Sequence, residues 1–203
     1  MAAKALEARD WVVKIYDGTT PTPFTVTISF LGNFSGPFGR LRPEEVIQVD
    51  NGVGSSLVHT TVATDANIFT NPTITLGGKL YEPTTLQDVL VALSDPFDSA
   101  TWKPGGTSVF VGVTTLGTVP NADGSDITLP PPRDTVKLAR MVNIEALGDA
   151  DTDFLMKYAG VYFDPSKITW DKGEDGSSTF SAEGEVFGAI TTGTAFSTGT
   201  AVT

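Results

Sequence analysis

The chain has no cysteine, a single histidine and few basic residues, and each shortage closes off a kind of chemistry. Without cysteine there is no disulfide, no zinc–thiolate site and no thiol nucleophile. The same absence fits synthesis in a reducing cytoplasm. His59 lies in the strand-like run Ser55–Thr61 with no nucleophile motif beside it, so it reads as a strand histidine rather than a general base. Thirteen Lys and Arg stand against 24 Asp and Glu, a net charge of −11, and the pI is near 4.3. A protein that grips nucleic acid by its phosphates needs the opposite sign. No run approaches the ~18 apolar residues of a membrane span. The opening stretch Met1–Gly18 has no apolar core and carries Glu7 and Asp10, so it does not read as a secretion signal.

Catalytic and cofactor motifs fail one by one. No Gly-x-Ser-x-Gly elbow occurs. Gly52-Val53-Gly54-Ser55-Ser56-Leu57 begins like a dinucleotide fingerprint but has Leu57 in place of the third glycine. The glycine-rich Gly32–Gly39 lacks the Lys-Ser/Thr of a phosphate loop, and the strand–helix alternation that houses both motifs is missing. Asp149-Ala150-Asp151-Thr152-Asp153 resembles the opening of a calcium loop. Phe154 then occupies the position that needs glycine, and Gly160 the position that needs glutamate. A solvated acidic hairpin tip is the better reading. Asp171 with Glu174, and Glu183 with Glu185, are carboxylate pairs of the kind glycoside hydrolysis uses, but no aromatic-lined cleft pattern surrounds them. Glu183 and Glu185, two apart, share one face of a strand and read as a charged solvent face. The expectation is a protein with no catalytic residue, no cofactor and no metal.

What is present points to a β-rich fold. At 203 residues and 40% hydrophobic composition the chain can bury a sizeable core, and a mean hydropathy of +0.03 fits a globular protein. Twenty-one glycines, 13 prolines and abundant threonine favour short strands joined by tight turns. Phe24, Val26, Ile28 and Phe30 alternate with Thr25, Thr27 and Ser29, the period of two that sets a buried face against a wet one. Further strands are expected at Trp11–Tyr16, Val46–Val49, Val53–Ala63, Thr73–Leu76, Thr107–Leu116, Thr135–Ala146 and Phe154–Phe163. Ile168–Trp170 should pair with Ser178–Phe187 across the Asp/Gly-rich turn Asp171–Gly176. Pro120–Arg133 reads as a long polar connection.

One segment has helical spacing. Leu86, Val89, Leu90 and Leu93 fall on one face after the capping pair Thr84 and Gln87. The domain layout is an N-terminal arm (1–9), a β-rich domain (10–188) and a C-terminal arm (189–203). That last stretch is threonine-rich and uncharged, and is expected to dangle or to add an edge strand to a neighbouring subunit. Trp11, Trp102 and Trp170 lie far apart in the chain, which favours core or interface roles over an aromatic platform.

The order of these pieces resembles the major tail tube proteins of long, flexible-tailed bacteriophages. The resemblance rests on Val12–Tyr16, the turn Asp17-Gly18-Thr19-Thr20-Pro21 and the alternating strand from Phe24. It continues through the helix bearing Thr85–Leu90 and the closing hairpin of Ile168–Trp170 and Thr179–Gly188. It covers most of residues 11–188 and is one of pattern, without a diagnostic motif. It implies a β-sandwich or barrel-like core with one short flanking helix and extended terminal arms. It also implies six-membered rings whose inner walls form a closed β-barrel, stacked into a tube in the virion tail. The partners it implies are further copies of the chain, a tape-measure protein, a tail terminator and tail-tip proteins. DNA would pass through without specific binding, and the acidic excess would keep it from adhering. The wall positions it suggests are Thr25, Thr27 and Ser29, and Glu183 and Glu185. A head decoration, tail terminator or connector subunit shares the same composition. A ligand-binding β-sandwich does too, although the missing secretion signal and cysteines count against a secreted one.

Overall fold

The computed structural model describes residues 12–17, 22–29, 33–39, 46–50, 57–61, 71–80, 116–120, 126–129, 137, 140–148, 155–174 and 177–201. They form strands β1 (Val12–Tyr16), β2 (Phe24–Ser29), β3 (Asn33–Ser35), β4 (Val46–Asp50), β5 (Leu57–Thr61), β6 (Thr73–Leu80) and β7 (Thr118–Pro120). After these come β8 (Asp126–Thr128), β9 (Val142–Leu147), β10 (Leu155–Lys172), β11 (Ser178–Val186), β12 (Ile190–Gly193) and β13 (Thr200–Ala201). The protein is mainly β. Nine strands join one sheet in the order β13-β2-β1-β9-β10-β11-β6-β3, with β12 also on β10. The pairs β4–β5 and β7–β8 are separate ribbons. Every pairing in the large sheet is antiparallel except β13 on β2.

Period-two patterning decides which face is buried. Val13 and Ile15 of β1 sit opposite Ile28 and Val26 of β2 on one side, and opposite Ala146 and Ile144 of β9 on the other. Met156 and Tyr158 of β10 extend the same rows. With Val161, Phe163, Ile74, Leu76, Phe180, Ala182 and Val186 these side chains make one contiguous core. Leu116, Met141 and Phe187 form a smaller cluster against Tyr162. The sheet is folded over on itself. β3 is three strand steps from β10, ~14 Å on a flat sheet, yet the rings of Phe34 and Tyr158 lie with centroids 6.2 Å apart.

β10 makes that fold possible. Its first residues pair with β9 and β12, and its later ones with β11. Between Tyr158 and Val161 it carries one more residue than β9, whose partners are Ile144 and Val142. Gly160 sits in this bulge at φ 56°, a left-handed conformation that a side chain resists. Its amide donates to Asn143 Oδ1 at 2.9 Å, and its carbonyl accepts from the Phe187 amide at 2.9 Å. Both backbone groups of Gly160 are therefore paired at the bend.

The structure departs from the sequence expectations at several points. β6 continues through Gly77 and Gly78 to Leu80 rather than closing there, because β11 pairs along its whole length. The stretch Pro120–Arg133 is not a plain connection, since β8 lies within it and pairs with β7. β9 starts at Val142 rather than Thr135, after a turn in which the Arg140 amide donates to the Lys137 carbonyl at 3.1 Å. The strand expected at Val53–Ala63 is described only at Leu57–Thr61. Phe154–Phe163 and Ile168–Trp170 merge into the single strand β10. Within the single chain the C-terminal arm is paired, β12 with β10 and β13 with β2. The helix expected over Thr84–Leu93, the arm 1–9 and the acidic run 149–153 lie outside the described residues.

A Cβ placed on Gly188 would collide with the Ala159 carbonyl oxygen, while one on Gly39 meets nothing within 4 Å. Gly188→Ala is therefore expected to cost about 1–3 kcal/mol through overpacking of the β10–β11 bend. Gly39→Ala is expected to be near neutral, and urea unfolding of the two variants distinguishes them.

Candidate functional site: a projecting hairpin and a docked C-terminal segment

Beyond Phe163 the character of β10 changes. Residues 165–167 and 169–172 are exposed, and Asp164 and Ile168 only half-buried. Asp164 explains the start of this region. Its carboxylate accepts from the Ser166 amide at 2.9 Å and the Ser166 hydroxyl at 2.8 Å, closing a tight Asx turn. Those bonds, with the Ser166 amide foremost, hold the Asp164 carboxyl below its usual range. The turn bulges β10 between Phe163 and Ile168, after which pairing with β11 resumes through Lys172↔Ser178. The Gly173 amide closes the tip on the Ser177 carbonyl at 2.8 Å.

Trp170 sits on this extension opposite Phe180, which is buried. Trp170 itself is 63% exposed. Among the described residues, Ile168–Lys172 pair on the β11 side only. Among the described residues, the hairpin thus presents a strand edge paired on one side and a large exposed aromatic together.

Glu183 and Glu185 lie at the base of the hairpin and line one groove with Asn71, Thr73, Lys137, Tyr162, Asp164 and Lys167. They share a face, as their spacing requires, and each is ion-paired. Glu185 contacts Lys137 Nζ at 3.1 Å and accepts from Asn71 Nδ2 at 2.9 Å. Glu183 pairs with Lys167, whose amine is raised above its usual pKa by the hydrogen bond and charge of that carboxylate. Lys137 also lies 5.3 Å from the ring centres of Tyr162 and Phe187. Within one chain both glutamates are offset by lysines.

The remaining suggested wall positions separate. Thr27 is exposed. Thr25 is only 6% exposed, because the C-terminal segment crosses over it and Gly199 packs against its methyl group. It lines no open surface in this chain. The side chain of Ser29 lies outside the described residues.

That segment rests on a cluster that sequence reasoning did not single out. Glu145, on the non-core face of β9, is 5% exposed. It pairs with Lys157 Nζ at 3.1 Å and accepts from the Ser197 amide at 2.7 Å and from the Ser197 hydroxyl. The single proton of the Tyr16 hydroxyl is placed between the Ser197 carbonyl at 3.0 Å and Glu145 Oε2 at 3.2 Å. Lys14 lies 4.6 Å from the centre of the Phe196 ring. The only hint in the sequence is the alternation itself, which puts Lys14, Glu145 and Lys157 on the polar faces of their strands. Their register makes them neighbours, Lys14↔Glu145↔Lys157.

No family model and no curated protein matches the chain. Among solved structures, a chain of the anti-feeding prophage baseplate, determined by cryo-EM with six-fold symmetrisation, is similar at 12% identity. The match covers 94% of this chain and 96% of that one, with a TM-score of 0.39. A score at that level does not establish a shared fold.

Two outcomes test the cluster. Glu145→Ala removes the acceptor that holds Ser197, and a hydrogen bond to a charged group contributes about 1.5–3 kcal/mol. Chymotrypsin is expected to cut after Phe196 roughly tenfold faster or more in this variant, with the remaining core still folded. The second is a pH dependence. Burial, then the Glu145 charge, pushes the Tyr16 hydroxyl far above its usual value, and burial pushes Tyr158 up to about 12. In the unfolded chain both ionise near pH ~10. Their stabilisation is therefore complete below pH 10 and is lost as pH rises towards 12 and beyond. Denaturation midpoints followed between pH 8 and 12 are expected to fall only above 10.

Proposed function

We propose that the chain is a structural virion protein that assembles with copies of itself into stacked rings, forming the tail tube of a long-tailed bacteriophage. The single observation that carries self-assembly is the outer half of the β10–β11 hairpin. There a strand edge paired on one side among the described residues stands beside a Trp170 that is 63% exposed. Natural sheets cover, charge or pair such edges, since they otherwise recruit other chains indiscriminately. A ring of subunits meets that need, because each edge is taken up by the next copy and closure leaves none over. Trp170 is the kind of side chain that anchors such a contact.

The sequence resemblance supports the tube in particular, and the mainly β fold agrees with it. On this reading the partners are further copies of the chain, a tape-measure protein, a tail terminator and tail-tip proteins. The net charge of −11 keeps passing DNA from adhering. The reading assigns the protein no catalysis. Within one chain Glu183 and Glu185 are paired with Lys167 and Lys137, so their contribution to a repelling wall depends on how neighbouring subunits rearrange those lysines.

Negative-stain electron microscopy of the purified protein, over a range of concentration and salt, tests this reading. Hollow tubes or stacked rings with a channel wide enough for duplex DNA are expected. Closed single rings would move the assignment to a terminator or connector, and a monomer under all conditions would overturn self-assembly. Trp170→Thr is expected to leave the fold within ~0.5 kcal/mol of the parent, as exposed positions do. It should raise the concentration needed for assembly more than tenfold, as loss of an interface anchor does. Unchanged assembly would remove Trp170 from the interface.

A further inference from the structure

Glu185 uses its two oxygens on two nitrogens that come from distant parts of the chain. Oε2 accepts from the Lys137 amine at 3.1 Å, and Oε1 accepts from the Asn71 side-chain amide at 2.9 Å. Asn71 stands just ahead of β6 and Lys137 ahead of β9, and Glu185 on β11 lies between them. The Lys137 amine is 5.3 Å from the ring centres of both Tyr162 and Phe187. Those two rings belong to the small apolar cluster at the bend. One side of the amine therefore meets aromatic carbon, while Lys137, Asn71 and Glu185 all line the groove at the base of the hairpin. A primary amine, a carboxamide and a shared carboxylate are the three groups an amide exchange needs. They supply its nucleophile, its acyl carbon and its proton carrier.

We propose that Lys137 and Asn71 become joined by an amide bond between their side chains, with Glu185 carrying the protons. Glu185 takes a proton from the Lys137 ammonium through Oε2, and the freed amine attacks Cγ of Asn71. The new Cγ–Nζ bond forms, the Cγ–Nδ2 bond breaks, and Oε1 is placed to hand a proton to the departing nitrogen. Of the three protons on the ammonium, one stays on the new amide and two leave with Nδ2 as an ammonium ion. Charge and atoms balance, and no oxidant or cofactor enters. Lysine amines are mostly protonated at neutral pH, which slows the attack. Against that, groups held in a reactive geometry behave as if at roughly 10⁵–10⁸ M. The event also happens once per chain, and ammonia lost to dilute solution does not return, so slow chemistry is enough. The bond closes the long loop between residues 71 and 137. Like a disulfide, it restricts the unfolded chain, in a protein with no cysteine to make one. It lies within one chain and forms whether or not copies assemble.

Intact mass spectrometry of the purified chain, after prolonged incubation at neutral pH, tests the bond. The chain is expected about 17 Da below the mass of its sequence, the loss of one ammonia. An asparagine succinimide, for which Asn51-Gly52 is a candidate, loses the same mass, so tryptic peptides decide. A branched peptide joining Asn71 to Lys137, with no cut after Lys137, is expected. Lys137→Arg keeps the charge opposite Glu185 but offers no lysine amine, and should abolish the branched peptide. Glu185→Gln keeps the shape of the side chain and should slow its formation at least a hundredfold, as loss of a general base does. Circular dichroism establishes that both variants are folded. A parent chain that keeps its full mass and is cut after Lys137 would overturn the proposal, whatever the variants do. A branched peptide formed equally fast in Glu185→Gln would overturn the role given to Glu185.

Discussion

At Gly160 the backbone takes φ 56° in the middle of the longest strand, and much of the architecture follows from that one extra residue. It lets β10 leave β9 and β12 and continue beside β11, so one strand serves both halves of a folded-over sheet. It also brings Leu116 against the bend, where the Ala189 amide donates to the Leu116 carbonyl at 3.1 Å and the small second cluster forms. A β-branched or bulky residue there would face a strained conformation. The Phe34–Tyr158 contact lies across this bend and the second bulge between Phe163 and Ile168.

The two polar clusters illustrate how the same residue types do different work at different depths. Glu183 and Glu185 sit on a partly open groove, where ion pairs with Lys167 and Lys137 contribute little to stability and chiefly fix geometry. Glu145 sits under the C-terminal segment, with a lysine, a hydroxyl and a backbone amide all directed at it. A carboxylate removed from water needs all of them. The acidic excess of the whole chain says nothing about this site, which is defined by burial and register rather than by net charge.

Local patterning made most of the strands legible. Alternation exposed β2, the Asp/Gly cluster marked the turn after β10, and the pairing of Ile168–Trp170 with β11 followed from their spacing. Boundaries were harder to read where glycines sit inside a strand, as at Gly77 and Gly78, because there the neighbouring strand rather than propensity keeps the chain extended. The docking of the C-terminal segment was invisible for a different reason. Tyr16 meets the C-terminal segment across 181 residues and Glu145 meets Ser197 across 52, and no local pattern encodes so distant a contact. A threonine-rich, uncharged stretch looks free because its own side chains supply no core. Here the sheet supplies the polar partners. The Asx turn at Asp164 was not singled out in the sequence, and its effect, a strand that bulges and then resumes, appears only once β11 lies beside it.

The contrast between the hairpin and the docked C-terminal segment has a mechanical side. A pull along the length of β10 and β11 loads their cross-strand bonds in shear, so many must give way together. A pull on residue 201 peels the two-residue pairing with β2 one bond at a time. Under tension, therefore, of these two pairings the two-residue one at the C-terminal end yields before the hairpin.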